Sequence, residues 1–477
     1  MAVSESSIPA SLATWNIRAL HGRWLLVAVW VGLFLLRALI YLALTPPWQA
    51  PDEPTSMELL LTMEARGRLV SPADADLDIQ REIVASMQRA HYWELGGYGY
   101  APKVPNAVFD DVYACCGTQL HRPPLYHFLL LPAARLTSGW PLEQRLIVLR
   151  AASILLGMIT VGLVTIISYE LAVVHRALPL VMPALVAFHP QFTYISTIFN
   201  SDNLITLIGA LFFLVLLRAM QRGLTLWRFL LLAGLIGVGF FTKRTIVFLA
   251  PALGLAVLGR LIELWRAYGR SARRWLLALG SGAILTVFAV AAVPALRAVV
   301  YNFTGRYLFF NDPLGYLGFI SRGIFAPSVP MWSWFGTSLL FLNRSFWGSY
   351  GWHQVFIPST LQRILLLCVV GTWLLALIWT TLRRRQFPRW TQRYIWLCVL
   401  SIGVALTITL LNAPAPVLPQ GRYLFLVLIP IVLLMAIGLV SWWPRRWTLY
   451  GVGLVWSALI LLDMYTLGAV FIPGFYP

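Results

Sequence analysis

Two adjacent carboxylates, Asp52 and Glu53, lie in a proline-rich stretch, residues 46–54, directly after a long apolar segment. The prolines stiffen this stretch, so it can hold both side chains at the mouth of a membrane span. A carboxylate in such a position can deprotonate an attacking hydroxyl group or hold a divalent cation. We expect Asp52 to be the general base. The alternative is Glu53, which could instead only cap the amphipathic helix that follows.

Further ionisable residues occur where other apolar segments end: Asp202 in the motif Asn-Ser-Asp-Asn, Lys243 with Arg244, and Arg422 after a proline-rich approach. Basic side chains can neutralise a phosphate leaving group, so this mixture of acids and bases suits transfer from a phosphate-linked donor. Structural roles are the alternative. Asp202 could cap the following helix, and the basic side chains could snorkel to the membrane interface.

The composition predicts a membrane protein. Of 477 residues, 59% are hydrophobic and 11% are charged, and the apolar residues form long runs typical of transmembrane helices. In a soluble chain the net charge of +18 would suggest a nucleic-acid partner. Here the arginines lie in short breaks between apolar runs, which is the positive-inside pattern, so no nucleic-acid binding is expected.

The order of apolar runs predicts an all-α polytopic protein with about eleven transmembrane helices. We expect a cytoplasmic N-terminus and a short or re-entrant segment at 124–137, because only then do all the arginine-rich breaks lie in the cytoplasm. The same parity places Asp52, Asp202, Lys243 and Arg422 on the outer face. The spans are expected at about 24–45, 146–173, 177–198, 203–217, 226–241, 246–265, 274–300, 361–382, 392–411, 422–441 and 447–468.

This topology divides the chain into successive regions. Amphipathic patterns at 58–66 and 78–94 predict helices that lie on the membrane surface in the first outer loop. Arg37, Glu170 and Asp463, inside apolar runs, are expected to be helix-packing partners. The regions are a cytoplasmic N-terminus at 1–23, a catalytic transmembrane module at 24–300 with an outer loop at 47–120, an outer loop with an aromatic motif at 301–360, and C-terminal transmembrane helices at 361–477.

Several short motifs occur in the order seen in membrane-embedded glycosyltransferases of the GT-C class. They are Asp-Glu-Pro at 52–54, His-Arg-Pro-Pro-Leu-Tyr at 121–126, His-Pro-Gln-Phe at 189–192, Ser-Asp-Asn-Leu at 201–204, Thr-Lys-Arg at 242–244 and Gly-Arg-Tyr at 421–423. The chain resembles the branch that includes protein O-mannosyltransferases and lipid A aminoarabinose transferases. It is still more similar to a bacterial family of membrane proteins of unknown function related to that class, in which the blocks at 345–352 and 421–424 are familiar.

The resemblance implies inverting transfer of a sugar from a polyprenyl-phosphate carrier to a lipid, glycan or protein acceptor, at the outer face of a bacterial cytoplasmic membrane. Asp52 would activate the acceptor hydroxyl, and Asp202 would assist acceptor or metal binding. Arg122 would contact the donor phosphate, at a position where the aminoarabinose transferases have a lysine. A guanidinium can bind phosphate through two hydrogen bonds, so the role survives the exchange.

The complete set of candidate site residues follows from these motifs. Aromatic members could stack on sugar rings, or could belong to the aromatic belt at the membrane interface. A divalent cation, Mg²⁺ or Mn²⁺, is possible through Asp52 and Asp202, and no other cofactor is expected. The candidates are Asp52, Glu53 and Asp202 for catalysis; His121, Arg122, Lys243, Arg244 and Arg422 for the donor phosphate; and Tyr126, Asn200, Asn203, Trp347, Trp352, His353 and Tyr423 for substrate.

A transporter or lipid flippase of the cell envelope is the alternative function. It could use the same outer arginines as a substrate vestibule. Transporters commonly contain internal repeats and broken helices near the middle of the bilayer. The two halves of this chain show no clear repeat, and the charged motifs cluster at one face, which favours the enzyme.

Overall fold

The computed structural model describes residues 17–95, 107–112, 118–267, 331–411 and 419–476. This part of the chain is mostly helical, with one short antiparallel hairpin, β1 (Ser349–Tyr350) and β2 (Val355–Phe356). The helices are α1 (Ile17–Leu44), α2 (Glu53–Arg66), α3 (Leu77–Arg89), α4 (Tyr92–Leu95), α5 (Phe109–Val112), α6 (Leu125–Leu136), α7 (Leu142–Glu170), α8 (Leu178–Ala187), α9 (Pro190–Ser196), α10 (Asp202–Arg222), α11 (Leu226–Phe240), α12 (Arg244–Ala267), α13 (Met331–Trp347), α14 (Ser359–Leu382), α15 (Arg389–Leu411), α16 (Gly421–Val440) and α17 (Thr448–Phe475).

Eight of the described helices are long and apolar enough to cross a membrane, namely α1, α7, α10, α12, α14, α15, α16 and α17. Helices α8 and α9 pass the same test together but are bent by 61° at their junction, which allows a ninth span. The prediction of an all-α, multi-pass membrane protein is therefore confirmed. The predicted total of eleven is not reached by these residues: the span expected at 274–300 lies outside them, and α11, with 15 residues, is shorter than a typical crossing helix.

The short segment expected at 124–137 forms α6, which has 12 residues and contains Pro132. A helix of that length is too short to cross the hydrocarbon core alone. Its first residue is tied to the end of α11, because the amide of Leu125 donates to the carbonyl of Phe241 at 2.9 Å. This contact holds the motif that precedes α6 close to the residues that follow α11.

Helix α2 corrects one prediction, because it is buried over Glu53–Met63 instead of lying on the membrane surface. It packs against α3 and α6. The polar face of α2 is satisfied inside this layer: Glu58 accepts hydrogen bonds from Gln80 at 2.6 Å and Thr118 at 3.0 Å. Burial still raises the pKa of Glu58 despite these two bonds.

The charged residues inside the apolar runs pair with one another, as a packing role requires. Arg37 of α1 donates to Asp463 of α17 through Nε at 2.7 Å and through Nη2. Arg218 of α10 donates to Glu170 of α7 at 3.0 Å. Each pair joins two helices that are far apart in sequence, which is the usual reason for retaining a charge inside a membrane bundle.

Candidate active site

The loop between α1 and α2 turns sharply, and this turn sets the direction of Asp52. Both Trp48 and Asp52 have left-handed backbones, with φ of 67° and 68°. Aspartate tolerates this conformation better than most residues, whereas tryptophan has no such preference. Strained backbone of this kind persists only where surrounding contacts enforce it and is concentrated at functional sites.

The contacts that enforce the turn come from Glu53 and Arg150. Both side chains are fully buried, and Arg150 donates to the two Glu53 carboxylate oxygens at 2.7 Å each. Arg150 also donates to the carbonyls of Thr45 at 2.7 Å and Pro46 at 3.0 Å. The amide of Phe199 donates to Glu53 at 3.1 Å. Glu53 and Arg150 therefore hold three segments together beneath the turn: α7, the end of α1 and the segment before α10.

Asp52 points the other way and is surrounded by donors. Arg122 donates to Oδ1 at 2.9 Å. Arg422 contacts Oδ2 at 2.7 Å, and Asn200 donates to the same oxygen at 3.1 Å. Burial raises the pKa of Asp52, but the charges of Arg422, Arg122 and Lys243 outweigh it and hold the pKa well below its usual range. Asp52 is therefore a carboxylate anion fixed between two guanidinium groups.

A second carboxylate, Asp202, lies directly behind this group. It is 1% exposed and forms an ion pair with Lys243, while its other oxygen lies 3.5 Å from Nε of Arg422 without making a hydrogen bond. Ser201, not Asp202, occupies the cap position of α10. Arg422 thus lies between two carboxylates, and within the described residues its Nη1 has no hydrogen-bond partner.

These side chains line a cavity of about 370 Å³. Its charge is unbalanced in favour of cations, because Arg122, Lys243, Arg244 and Arg422 line it together with one carboxylate, Asp52. The Lys243 ammonium lies 4.8 Å from the ring centre of Tyr423, which also lines the cavity. The remaining lining residues are His121, Pro123, Asn200, Ser201, Thr242, Thr245, Phe248, Ile408, Thr409 and Pro419.

Three membrane helices begin at the cavity: α10 at Asp202, α12 at Arg244 and α16 at Gly421. The amino ends of helices carry partial positive charge, which favours a bound anion. Together with the basic side chains, these ends make the cavity suited to a phosphate group.

Close backbone contacts fix the start of α16, and with it Arg422. A Cβ added at Gly421 would lie 2.2 Å from the amide nitrogen of Phe346 in α13. The amide of Gly421 also donates to the hydroxyl of Ser345 at 2.7 Å. On the opposite side, a Cβ at Gly209 of α10 would lie 2.3 Å from the carbonyl oxygen of Leu426. Only glycine permits these approaches, so the position of Arg422 depends on both.

Several predicted site residues lie outside the cavity lining, and their contacts are structural. Tyr126 is fully buried and shares a 2.6 Å hydrogen bond with Ser153. Asn203 donates to the carbonyl of Ile198 at 3.0 Å. Together with Glu53, these side chains support the walls of the site and do not face its opening.

The aromatic candidates near β1 are also engaged in packing. Trp347 stacks on His189 with ring centres 4.6 Å apart, and Trp352 donates to the carbonyl of Trp48 at 3.1 Å. His353 has a left-handed backbone, with φ of 62°, and its Nδ1 lies 2.6 Å from the hydroxyl of Ser349. Burial and the charge of Arg422 lower the pKa of His353 to about 4, so it is a neutral imidazole close enough to the site to feel Arg422.

Some residues of the site were missed by sequence reasoning. Arg150 has a detectable signal, because an arginine inside the apolar run of α7 needs a partner. Phe248, Ile408 and Thr409 carry no such signal, since apolar and small polar residues are ordinary in transmembrane helices. Phe248 lines the cavity because α12 begins there, and Ile408 and Thr409 line it because α15 ends there.

A divalent cation fits these residues poorly. Both candidate ligands already contact cationic side chains: Asp52 contacts Arg122 and Arg422, and Asp202 contacts Lys243. Within the described ranges no group of three or more His, Cys, Asp and Glu side chains could hold a metal ion. No step of the mechanism below is therefore assigned to a metal.

The chain matches no protein-family model, no curated protein and no solved structure.

Proposed function

We propose that this chain is an inverting glycosyltransferase with a GT-C-like fold, acting at the outer face of a bacterial cytoplasmic membrane. It would transfer a sugar from a polyprenyl-phosphate carrier to a hydroxyl group of a lipid, glycan or protein acceptor. The observation that supports this proposal most strongly is the 370 Å³ cavity, in which Arg122, Lys243, Arg244 and Arg422 surround the carboxylate of Asp52.

The donor phosphate would bind among the basic side chains. Nη1 of Arg422 has no hydrogen-bond partner among the described residues, and Arg122 can rotate from Asp52 to a phosphate oxygen without losing charge pairing. Phe248 and Ile408 give the cavity an apolar side, against which the first isoprene units of the carrier could pack. A binding site that is cationic at one side and apolar at the other matches a lipid-linked phosphate better than a free nucleotide.

The reaction then needs one base and one leaving group on opposite faces of the sugar. The Asp52 carboxylate takes the proton of the acceptor hydroxyl, whose oxygen forms the new bond to the anomeric carbon. The bond from that carbon to the phosphate oxygen breaks, and the electron pair leaves with the polyprenyl phosphate. Arg122 and Arg422 neutralise the charge that develops on the phosphate.

Donor binding would also activate the base. Without donor, the two arginines hold the pKa of Asp52 far below its usual range, which makes it a weak proton acceptor. A donor phosphate competes for the same guanidinium groups. As they turn to the phosphate, the pKa of Asp52 rises, so the base becomes effective only when the donor is in place.

Donor consumption by the purified chain in nanodiscs tests this proposal. Synthetic polyprenyl-phosphate sugars are supplied as a panel, and both loss of the donor and release of polyprenyl phosphate are followed by mass spectrometry. We expect at least one donor to be bound and consumed, with water taking the place of the acceptor hydroxyl. An NMR spectrum of the freshly released sugar should show inversion at the anomeric carbon. Failure to bind or consume any donor would count against the enzyme.

A transporter or flippase is the second candidate, and the 61° break between α8 and α9 is the observation that favours it. Broken helices often mark transport pathways. Proteoliposomes that contain the chain and a labelled polyprenyl-phosphate sugar in one leaflet distinguish the two functions. A transporter moves the intact lipid to the other leaflet, whereas the proposed enzyme consumes it.

A further inference from the structure

A second basic cavity, of about 800 Å³, lies between α10, α12 and α15, at the ends of these helices opposite to the first cavity. Its lining comes from the last residues of α10, the second half of α12 and the first residues of α15. Along α10, Asp202 and Met220 are about 18 residues apart, which is about 27 Å of helix. This length is close to the thickness of the hydrocarbon core, so the two cavities open at different membrane faces.

The charge of this second cavity is strongly positive. Among the described residues, Arg260, Arg266, Arg389 and Arg393 line it, with Glu263 as the single carboxylate. Glu263 accepts from Arg260 at 3.2 Å and also pairs with Arg393. Arg266 and Arg389 are exposed, and neither has a carboxylate partner within the described ranges. One carboxylate therefore balances only part of the positive charge.

Exposed apolar side chains form another part of the wall. Trp396 is 57% exposed and Leu255 is 50% exposed, and both line the cavity with Ile262. Gly259 leaves the wall open, because an added Cβ would meet no atom within 4 Å. Arginines that only obeyed the positive-inside rule would need neither a concavity nor an exposed apolar wall.

We propose that this cavity binds the headgroup of an anionic phospholipid, with its acyl chains along Leu255, Ile262 and Trp396. The guanidinium groups of Arg266 and Arg389 would bind the headgroup phosphate, since arginine can offer two parallel donors to phosphate oxygens. Basic pockets between transmembrane helices at a membrane surface are suited to such headgroups. The site is independent of sugar transfer, because Asp52 and its partners lie at the other ends of these helices.

Lipid retention measured by native mass spectrometry on the full chain tests the site. The probes are phosphatidylglycerol and phosphatidylcholine with identical acyl chains, together with inorganic phosphate as a headgroup without chains. We expect phosphatidylglycerol to be retained in preference to phosphatidylcholine. Inorganic phosphate should not displace it at matched concentration, because phosphate alone lacks the apolar contacts.

Removal of the charges of Arg266 and Arg389 should weaken retention of phosphatidylglycerol. For Arg266→Gln/Arg389→Gln we expect about a thirtyfold loss of affinity, on the order of 1 kcal/mol for each arginine. The matched control is Arg385→Gln/Arg446→Gln, which removes two exposed charges at the same end of the helices but outside the cavity. The control should retain the lipid as the wild type does.

Filling the cavity without changing its charge gives a second, independent comparison. Gly259→Leu places a side chain in the open space and should reduce retention at least tenfold. Gly254→Leu makes the same change on the same helix, also into open space, but outside the cavity lining, and should leave retention unchanged. Equal retention by all four variants, equal retention of phosphatidylcholine, or displacement by inorganic phosphate would each overturn the proposal.

Discussion

The carboxylates of Asp52 and Glu53 are adjacent in the chain but lie in opposite environments. Asp52 opens onto the basic cavity, 2.7 Å from Arg422. Glu53 is fully buried and binds Arg150 through both of its oxygens. The left-handed backbone at Asp52 separates the two side chains. It turns Asp52 towards the cavity, whereas Glu53 is the first residue of α2 and points into the protein. We therefore assign the proposed chemistry to Asp52 and a structural role to Glu53, and each assignment can be tested separately.

Glu53→Gln should lower stability more than it lowers turnover. It leaves the buried Arg150 without its counter-charge, and breaking a buried pair in this way costs on the order of 3 kcal/mol. Thermal unfolding of the purified protein measures the loss, and donor turnover is then normalised to folded protein. A Glu53→Gln protein as stable as the wild type, yet inactive, would instead identify Glu53 as the base.

Arg422→Lys should weaken donor binding although it keeps the positive charge. Lysine lacks the planar fork by which Arg422 can offer two parallel hydrogen bonds to phosphate oxygens. Loss of a charge-assisted hydrogen bond predicts a Kd for the donor about ten to a hundred times higher. The control is Arg363→Lys, the same change at an exposed position in the first turns of α14. An unchanged donor Kd for Arg422→Lys would exclude Arg422 from the phosphate site.

Gly421→Ala should disturb the site from outside the cavity. The added methyl group would lie 2.2 Å from the amide nitrogen of Phe346, so α16 must shift and move Arg422 with it. We expect a loss of stability of about 1–3 kcal/mol, together with weaker donor binding. Gly403→Ala, for which an added Cβ meets no atom within 4 Å, is the matched control and should be neutral or slightly stabilising. Unaltered donor binding by Gly421→Ala would show that this contact does not position Arg422.

His353 should make stability depend on pH. Burial, followed by the charge of Arg422, lowers its pKa to about 4. The unfolded chain therefore binds the proton more tightly than the folded one, and stability is lost as the pH falls from about 6.5 towards 4. The loss from this residue is on the order of 3 kcal/mol over that range.

His353→Asn isolates this contribution, since asparagine accepts a left-handed backbone and does not titrate. The melting temperature of both proteins is measured at pH 7 and pH 5. Between pH 7 and pH 5 we expect the melting temperature of the wild type to fall further than that of the variant. An equal loss in the two proteins would show that His353 titrates normally.

The grouping of charged residues was predictable from the sequence, because charge and hydropathy fix which ends of the helices share a membrane face. Asp52, Lys243, Arg244 and Arg422 meet in one cavity, as that pattern predicts, whereas Arg122 was expected there only from the family resemblance. The patterns of long apolar runs likewise predicted the membrane helices. Their total number was less predictable, because α11, with 15 residues, is shorter than a typical span although it connects the end of α10 to the start of α12.

The orientation of individual side chains was not predictable. Whether Asp52 or Glu53 faces the cavity depends on one left-handed residue, and on a partner, Arg150, that is distant in sequence. The burial of α2 likewise depends on partners from other segments, because Gln80 and Thr118 donate to its Glu58. Composition also cannot separate aromatic residues that pack, such as Trp347, from those that bind a sugar, because both uses need the same apolar ring.

Donor binding and turnover by Asp52→Asn test the central claim most directly. Asparagine keeps the shape and the left-handed backbone of Asp52 but cannot accept the proton. With the donor on which the wild type turns over, we expect Asp52→Asn to bind at least as tightly, because Arg122 and Arg422 lose a competing carboxylate. We also expect turnover to fall at least a hundredfold. Turnover near the wild-type rate would contradict the assignment of Asp52 as the base.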